Sequence, residues 1–299
     1  MQLIDADTLY SKEDLSKVQL EVRNVALNNF EAFIRLVAPY QLIAHCHIAM
    51  CKWAQEYEHE NRLLLWPRDH GKSRYSAFYA AWETVRDPAT TIIYASATAE
   101  KAEEQLRFIK SILDSKVVRR YFPGLLHPEE GRRESWNKTS IVVDHPYRKS
   151  EGVVDSTIMT CGLEKTITGK HCKRLLLDDI VVPENNTELG RRDVNNWAAQ
   201  AASIMSAESS MLVVGTRYHP MDAYQVMMDM DFEDPIENED GEIALEEVKM
   251  FTVMQDDVEV DGEFLWPRQQ RKDGKYFGFN PRILARKKAD LPTPNSRQK

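Results

Sequence analysis

The stretch Leu63 to Ser73 reads LLLWPRDHGKS: an apolar run, a polar turn, then Gly71-Lys72-Ser73 at the mouth of a helix. A chain with this layout is held to a strand, a tight loop and a helix in direct succession. Backbone N–H groups of such a loop point inward and the helix adds its positive dipole end, so phosphate oxygens can be gripped without bulky side chains. Lys72 would reach the β- and γ-phosphates of a nucleotide. Ser73 would offer its hydroxyl to a magnesium ion, because a hard cation bridging phosphates takes oxygen ligands. The common phosphate-loop pattern opens with a glycine where this chain has Trp66, followed by Pro67. Taken alone, the tripeptide also fits an ordinary helix start.

A second buried-strand run, Arg174-Leu175-Leu176-Leu177, ends in Asp178-Asp179. In P-loop NTPases the strand beside the loop ends in an acid that holds Mg²⁺, and the next acid polarises the attacking water. Asp178 suits the first role and Asp179 the second, although the second acid is more often the longer Glu. A third apolar run, Met211 to Gly215, leads into Thr216-Arg217-Tyr218-His219. Thr216 is placed to sense the γ-phosphate through its hydroxyl, and Arg217 to carry charge to a neighbour or to DNA; an ordinary strand-to-loop exit accounts for both equally.

Periodicity sets the frame around these motifs. Residues 11 to 60 read as helical, with Leu15, Val18, Val22 and Val25 as an apolar stripe. A helix from Ser73 should stop at Arg86-Asp87-Pro88, since the residue before Pro resists the helical region. Thr90 to Ala95 reads as a buried strand, and Ala102, Leu106, Ile109 and Leu113 as the face of a returning helix. Ser140 to Val143 and Thr157 to Gly162 supply further strands. The alternation predicts an α/β fold: a P-loop NTPase with a central, mainly parallel sheet flanked by helices and ligands at the carboxyl ends of its strands. The expected divisions are an N-terminal helical segment at 1–60, an ATPase core at 61–220, and an acidic, irregular lid subdomain with a polar tail at 221–299.

These residues resemble the large terminase subunits of tailed bacteriophages, in particular those of short-tailed, T7-like phages. The resemblance rests on Arg68-Asp69-His70-Gly71-Lys72-Ser73, on Leu175 to Ile180, on Thr166-Ile167-Thr168-Gly169 and on Gly215 to His219. Phe264-Leu265-Trp266-Pro267, Lys272-Asp273-Gly274 and Phe277-Gly278-Phe279 extend it, so the motifs span roughly residues 40 to 290. It implies an ATP- and Mg²⁺-dependent motor that pumps double-stranded DNA into a procapsid. Its implied partners are the portal protein, the procapsid, the small terminase subunit and further copies of itself. It also implies that Arg68 meets the γ-phosphate, where stabilised charge can be worth several powers of ten in rate, and that Gln41 reads the adenine edge. Large terminases usually carry a nuclease domain after the ATPase. No such domain is expected in this chain: either it is a separate polypeptide or the chain is a truncated product, and cutting would then be supplied in trans. Two other readings stand beside this one: a P-loop translocase or helicase unrelated to capsids, and a non-catalytic assembly protein that binds nucleotide, suggested by Trp66 and Asp179.

The total charge of −8 hides a division. Fifteen acids between Asp229 and Glu263 against Lys249 alone give −14, which leaves +6 on the remainder and room for a basic face toward a phosphate backbone. Arg119-Arg120, Arg132-Arg133, Arg148-Lys149, Arg191-Arg192 and Arg286-Lys287-Lys288 are the candidates for it. No apolar stretch approaches the roughly 20 residues of a bilayer span, and the N-terminus lacks a signal-peptide pattern. The expected location is the host cytoplasm, with transient residence at the portal. Cys46, Cys51, Cys161 and Cys172 show no paired spacing, which suits a reducing compartment. His47 and Cys51 lie on one helical face, but two ligands fall short of the four a structural zinc takes.

Overall fold

The computed structural model describes residues 3–12, 14–165, 167, 169–237 and 243–289. Four helices come first: α1 (Ala6–Leu9), α2 (Lys17–Asn28), α3 (Phe30–Val37) and α4 (His45–Glu56). Then β1 (Asn61–Leu65) feeds α5 (Lys72–Arg86), and β2 (Ile92–Ser96) feeds α6 (Ala99–Leu113) and α7 (Lys116–Tyr121). The edge strand β3 (Ser140–Ile141), α8 (Pro146–Ser150), β4 (Ile158–Gly162) and β5 (Cys172–Asp178) follow. The chain continues through α9 (Glu188–Ala202), β6 (Met205–Gly215) and α10 (Ala223–Asp229). After the hairpin β7 (Asp231–Glu237) and β8 (Ile243–Lys249) comes β9 (Phe251–Gln255). The last part holds the short strands β10 (Glu259–Val260), β11 (Glu263–Phe264), β12 (Gln269–Gln270) and β13 (Tyr276–Phe277), and then α11 (Pro281–Ala289).

Seven strands form one sheet in the order β3-β4-β2-β5-β6-β1-β9, parallel throughout except for β3 against β4. Successive residues of a strand face opposite sides, and here both sides are apolar. Leu64, Ile92, Tyr94, Leu176 and Leu212 join one core with residues of α2 to α6, while Leu63, Ile93, Leu175, Leu177 and Val213 join a second core with α9 and α10. Helices cover both faces, which is why the strands read as continuous apolar runs rather than as alternating ones. The α/β fold with a mainly parallel central sheet is therefore as the sequence suggested. Helices α5 and α6 fall where expected, and Ala102, Leu106, Ile109 and Leu113 are all buried.

Three particulars differ from the sequence reading. The strand next to β1 is β6; β5 with its double Asp lies one position further on. In α2, Val18, Val22 and Val25 face outward, 67%, 38% and 56% exposed, while Arg23, Ala26 and Leu27 are buried. Arg23 can turn inward because Asp7 accepts from it at 2.8 Å and the Ser11 carbonyl at 2.7 Å, so its charge is buried paired. Trp82 of α5 donates to the Ala26 carbonyl at 2.9 Å and fixes that face. Finally, β9 lies within the stretch expected to be an irregular lid, yet it extends the main sheet by pairing in parallel with β1 from Asn61↔Phe251 to Leu65↔Gln255.

Thr166, Thr168, residues 238–242 of the acidic run and the tail from Asp290 to Lys299 lie outside the described residues. Among the described residues no helix is long and apolar enough to cross a membrane.

Candidate functional site

The loop between β1 and α5 is anchored at the position where a glycine is usual. Trp66 is buried, its indole N–H donates to Asp256 Oδ2 at 2.8 Å, and its backbone N–H donates to the Gly215 carbonyl at 3.1 Å. The loop start is thus pinned between β6 and the end of β9. Two residues then turn the backbone through the left-handed region, Asp69 at φ 65° and Gly71 at φ 82°. Gly71 caps α5 without a side-chain hydrogen bond, so the first N–H groups of the helix stay open toward the cavity. Gly71→Ala should cost about 1–2 kcal/mol, the usual penalty for a Cβ in this region. Denaturant unfolding checks this, and an unchanged midpoint would count against the strained loop.

Three strand ends bring the remaining groups to this loop. Lys72 is buried and donates to the Thr216 hydroxyl at 2.8 Å and to the Pro67 carbonyl at 3.1 Å. Burial is the main cause that pulls its pKa below the ordinary lysine value, against the opposing pull of Asp179 and Asp178. Ser73 donates to Asp178 Oδ1 at 2.7 Å and Tyr94 to Asp178 Oδ2 at 2.9 Å. Burial first, then the neighbouring charge of Asp179, pushes the Asp178 carboxyl up to about 7. Asp179 stands at φ 46°, its N–H held by the Val214 carbonyl at 2.9 Å, and its buried Oδ1 has no partner among the described residues. Arg68 is exposed at the rim, where its Nε donates to the Tyr218 hydroxyl and its guanidinium lies 5.1 Å from that ring centre. Arg68, Asp69, Lys72, Ser73 and Asp179 line a cavity of about 330 Å³.

The other site candidates fall into two groups. Gln41 lies on the adjoining cavity beside Tyr75. Asp69 pairs with Lys287 of α11. His70 is turned away from the cavity at the β1–α5 loop: its ring stacks on Phe279 at 4.8 Å, and Nδ1 lies 2.9 Å from the Arg68 carbonyl. Only its backbone remains for the loop. His47 receives the Ala44 N–H on Nδ1 at 3.0 Å, and its Nε2 lies 3.0 Å from the His70 carbonyl. This leaves neither nitrogen for a metal. Cys46 and Cys51 are free and buried.

Burial pushes the His47 pKa down to about 4 from 6.5. A depressed pKa gives stability that is complete above 6.5 and lost as pH falls toward 4, about 3 kcal/mol in all. Urea unfolding should lose stability over that range, and His47→Gln should flatten the loss; equal slopes in the two proteins would contradict it.

Of the basic pairs, Arg133 is tied to Asp114 and Arg148 to the Pro88 and Thr90 carbonyls. Arg217 is bound into its own turn by Asp222 and the Pro220 carbonyl. Sequence reasoning did not single out Tyr94, Tyr218 or Asp256. Each serves the loop through a contact distant in sequence; the local signals are Tyr94's place on a strand predicted to be buried and Tyr218's place in the Gly215 to His219 motif.

The chain matches no family model. Over 148 residues it is 26% identical to the terminase large subunit of Enterobacteria phage T3, a match that covers 50% of this chain and 24% of that protein. Half of the chain is therefore similar in sequence to a phage large terminase, as the motifs suggested, while the match spans about a quarter of that relative's length. The solved Phi-28 gp11 DNA packaging motor superposes with a TM-score of 0.42 at 11% identity, covering 71% of this chain and 60% of that one.

Proposed function

We propose that the chain is an ATP-hydrolysing motor subunit that moves double-stranded viral DNA into procapsids. The observation that carries this is the meeting of Lys72, Ser73, Asp178, Asp179 and Thr216 from three strand ends around one loop. The terminase-like sequence adds the DNA. In this reading 61–220 together with β9 is the ATPase core, 1–60 carries the adenine-side turn at Gln41, and the rest of 221–289 is the lid.

Lys72 exchanges Thr216 and the Pro67 carbonyl for β- and γ-phosphate oxygens. Arg68 leaves Tyr218 to neutralise charge on the γ-phosphate. Ser73 and Asp178 place two oxygens in contact at 2.7 Å, the donor type a hard cation takes, so these two would hold Mg²⁺, which would supply charge neutralisation. Asp179 turns its unpaired Oδ1 toward the attacking water and accepts its hydrogen bond. Once Lys72 departs, Thr216 turns its hydroxyl from the Trp66 carbonyl to the γ-phosphate and reports it to β6 and onward to the lid.

The partners in this reading are duplex DNA, the portal protein and procapsid, the small terminase subunit and further copies of the chain. Third-strand displacement from duplex DNA tests translocation: the triplex strand should be released with the duplex intact. Separation of the duplex strands would favour a helicase, and no displacement despite ATP turnover would argue against a translocase.

A further inference from the structure

Beside the phosphate-loop cavity lies a second one of about 440 Å³, and the two share Asp69, Gly71 and Arg74. Its walls come from opposite ends of the sequence: the turn Tyr40 to Leu42 on one side, and Trp266, Arg271 and Phe277 on the other. The far wall is fixed in place. Arg271 is gripped by Asp273 at 2.9 and 2.6 Å, lies 5.0 Å from the centre of the Phe277 ring, and reaches the Tyr40 carbonyl at 3.5 Å across the cavity. Trp266 stacks on Phe277 with ring centres 6.2 Å apart.

Trp266 is only 5% exposed, yet its indole N–H has no acceptor among the described residues. A buried donor left unpaired is costly, so one in a cavity wall marks a place where a ligand supplies the lone pair. Flat aromatic and guanidinium surfaces, with an unpaired indole N–H in the wall behind them, suit a planar heterocycle bearing ring nitrogens. A single ligand that fills both cavities would have its anionic end at Lys72 and this ring at the other.

We propose that the second cavity is a nucleobase slot closed by the β12–β13 hairpin, with Trp266, Arg271 and Phe277 holding the purine of the nucleotide. The proposal rests on the nucleotide reading of the first cavity and adds the hairpin side of the site to Gln41. Calorimetric titration of the full chain with Mg-ATP and with Mg-tripolyphosphate, which has no base, separates the two readings. Arg271→Ala should weaken ATP about tenfold and Trp266→Phe severalfold, while tripolyphosphate affinity stays unchanged and certifies an intact loop. Equal affinity of the wild-type chain for both ligands would overturn the slot and leave the phosphate site standing. Parallel weakening of both ligands in the variants would overturn it too, since the hairpin would then only shape the loop. Failure of both ligands to bind the wild-type chain would remove the phosphate reading and the slot with it.

Discussion

Lys72→Ala is expected to lower ATP turnover by about a thousandfold, in the range seen when a single preorganised charge or donor at a developing anion is removed. The melting temperature should not fall with it. Lys72 is a buried cation whose charged form burial disfavours, so its loss relieves a desolvation cost. Its partner Thr216 keeps a second hydrogen bond, donating to the Trp66 carbonyl at 3.0 Å. Phosphate release and thermal unfolding on the same samples separate the two effects. A variant that turns over ATP normally would remove Lys72 from the chemistry, and a large drop in melting temperature would make it a structural residue.

Asp179→Asn is the second large effect, with turnover reduced by about two to four powers of ten, as for the loss of a positioned general base. Nucleotide binding should survive, because the groups placed on the phosphates are Lys72, Arg68 and the open N–H groups of α5. Asn keeps the shape and tolerates the left-handed backbone that Asp179 adopts at φ 46°, so folding should be intact. Asp178→Asn differs in kind: it removes a charged oxygen beside Ser73, and Mg²⁺-dependent binding should fall along with turnover. A normal rate in Asp179→Asn would leave the attacking water without its orienting group and call for another.

The core of the fold was legible because buried parallel strands are apolar on both faces, and Leu63 to Leu65, Leu175 to Leu177 and Met211 to Val214 stand out from any background. The stop of α5 before Pro88 and the stripe of α6 are equally local signals. Strand β9 was hidden because Phe251 to Gln255 sits among acids and exposes Val253 on the sheet edge, so its pairing with β1 leaves little trace in composition. The inward face of α2 was misread for a related reason: Arg23 looks solvent-facing until Asp7 and the Ser11 carbonyl are seen to satisfy it.

At the site, the residues proposed to carry the chemistry, Lys72, Ser73, Asp178 and Asp179, were visible as motifs. Their supports were not. Trp66 reads as a departure from the usual glycine until Asp256, 190 residues away, is found accepting from its indole. His70 sits inside the motif yet turns toward Phe279, a contact that no spacing within the loop predicts.

The rate of ATP hydrolysis by the chain, with and without duplex DNA, decides whether it is a DNA-coupled ATPase. Hydrolysis that rises with duplex DNA and disappears in Lys72→Ala is the predicted result. Hydrolysis that is indifferent to DNA, or that persists unchanged in Lys72→Ala, would contradict it.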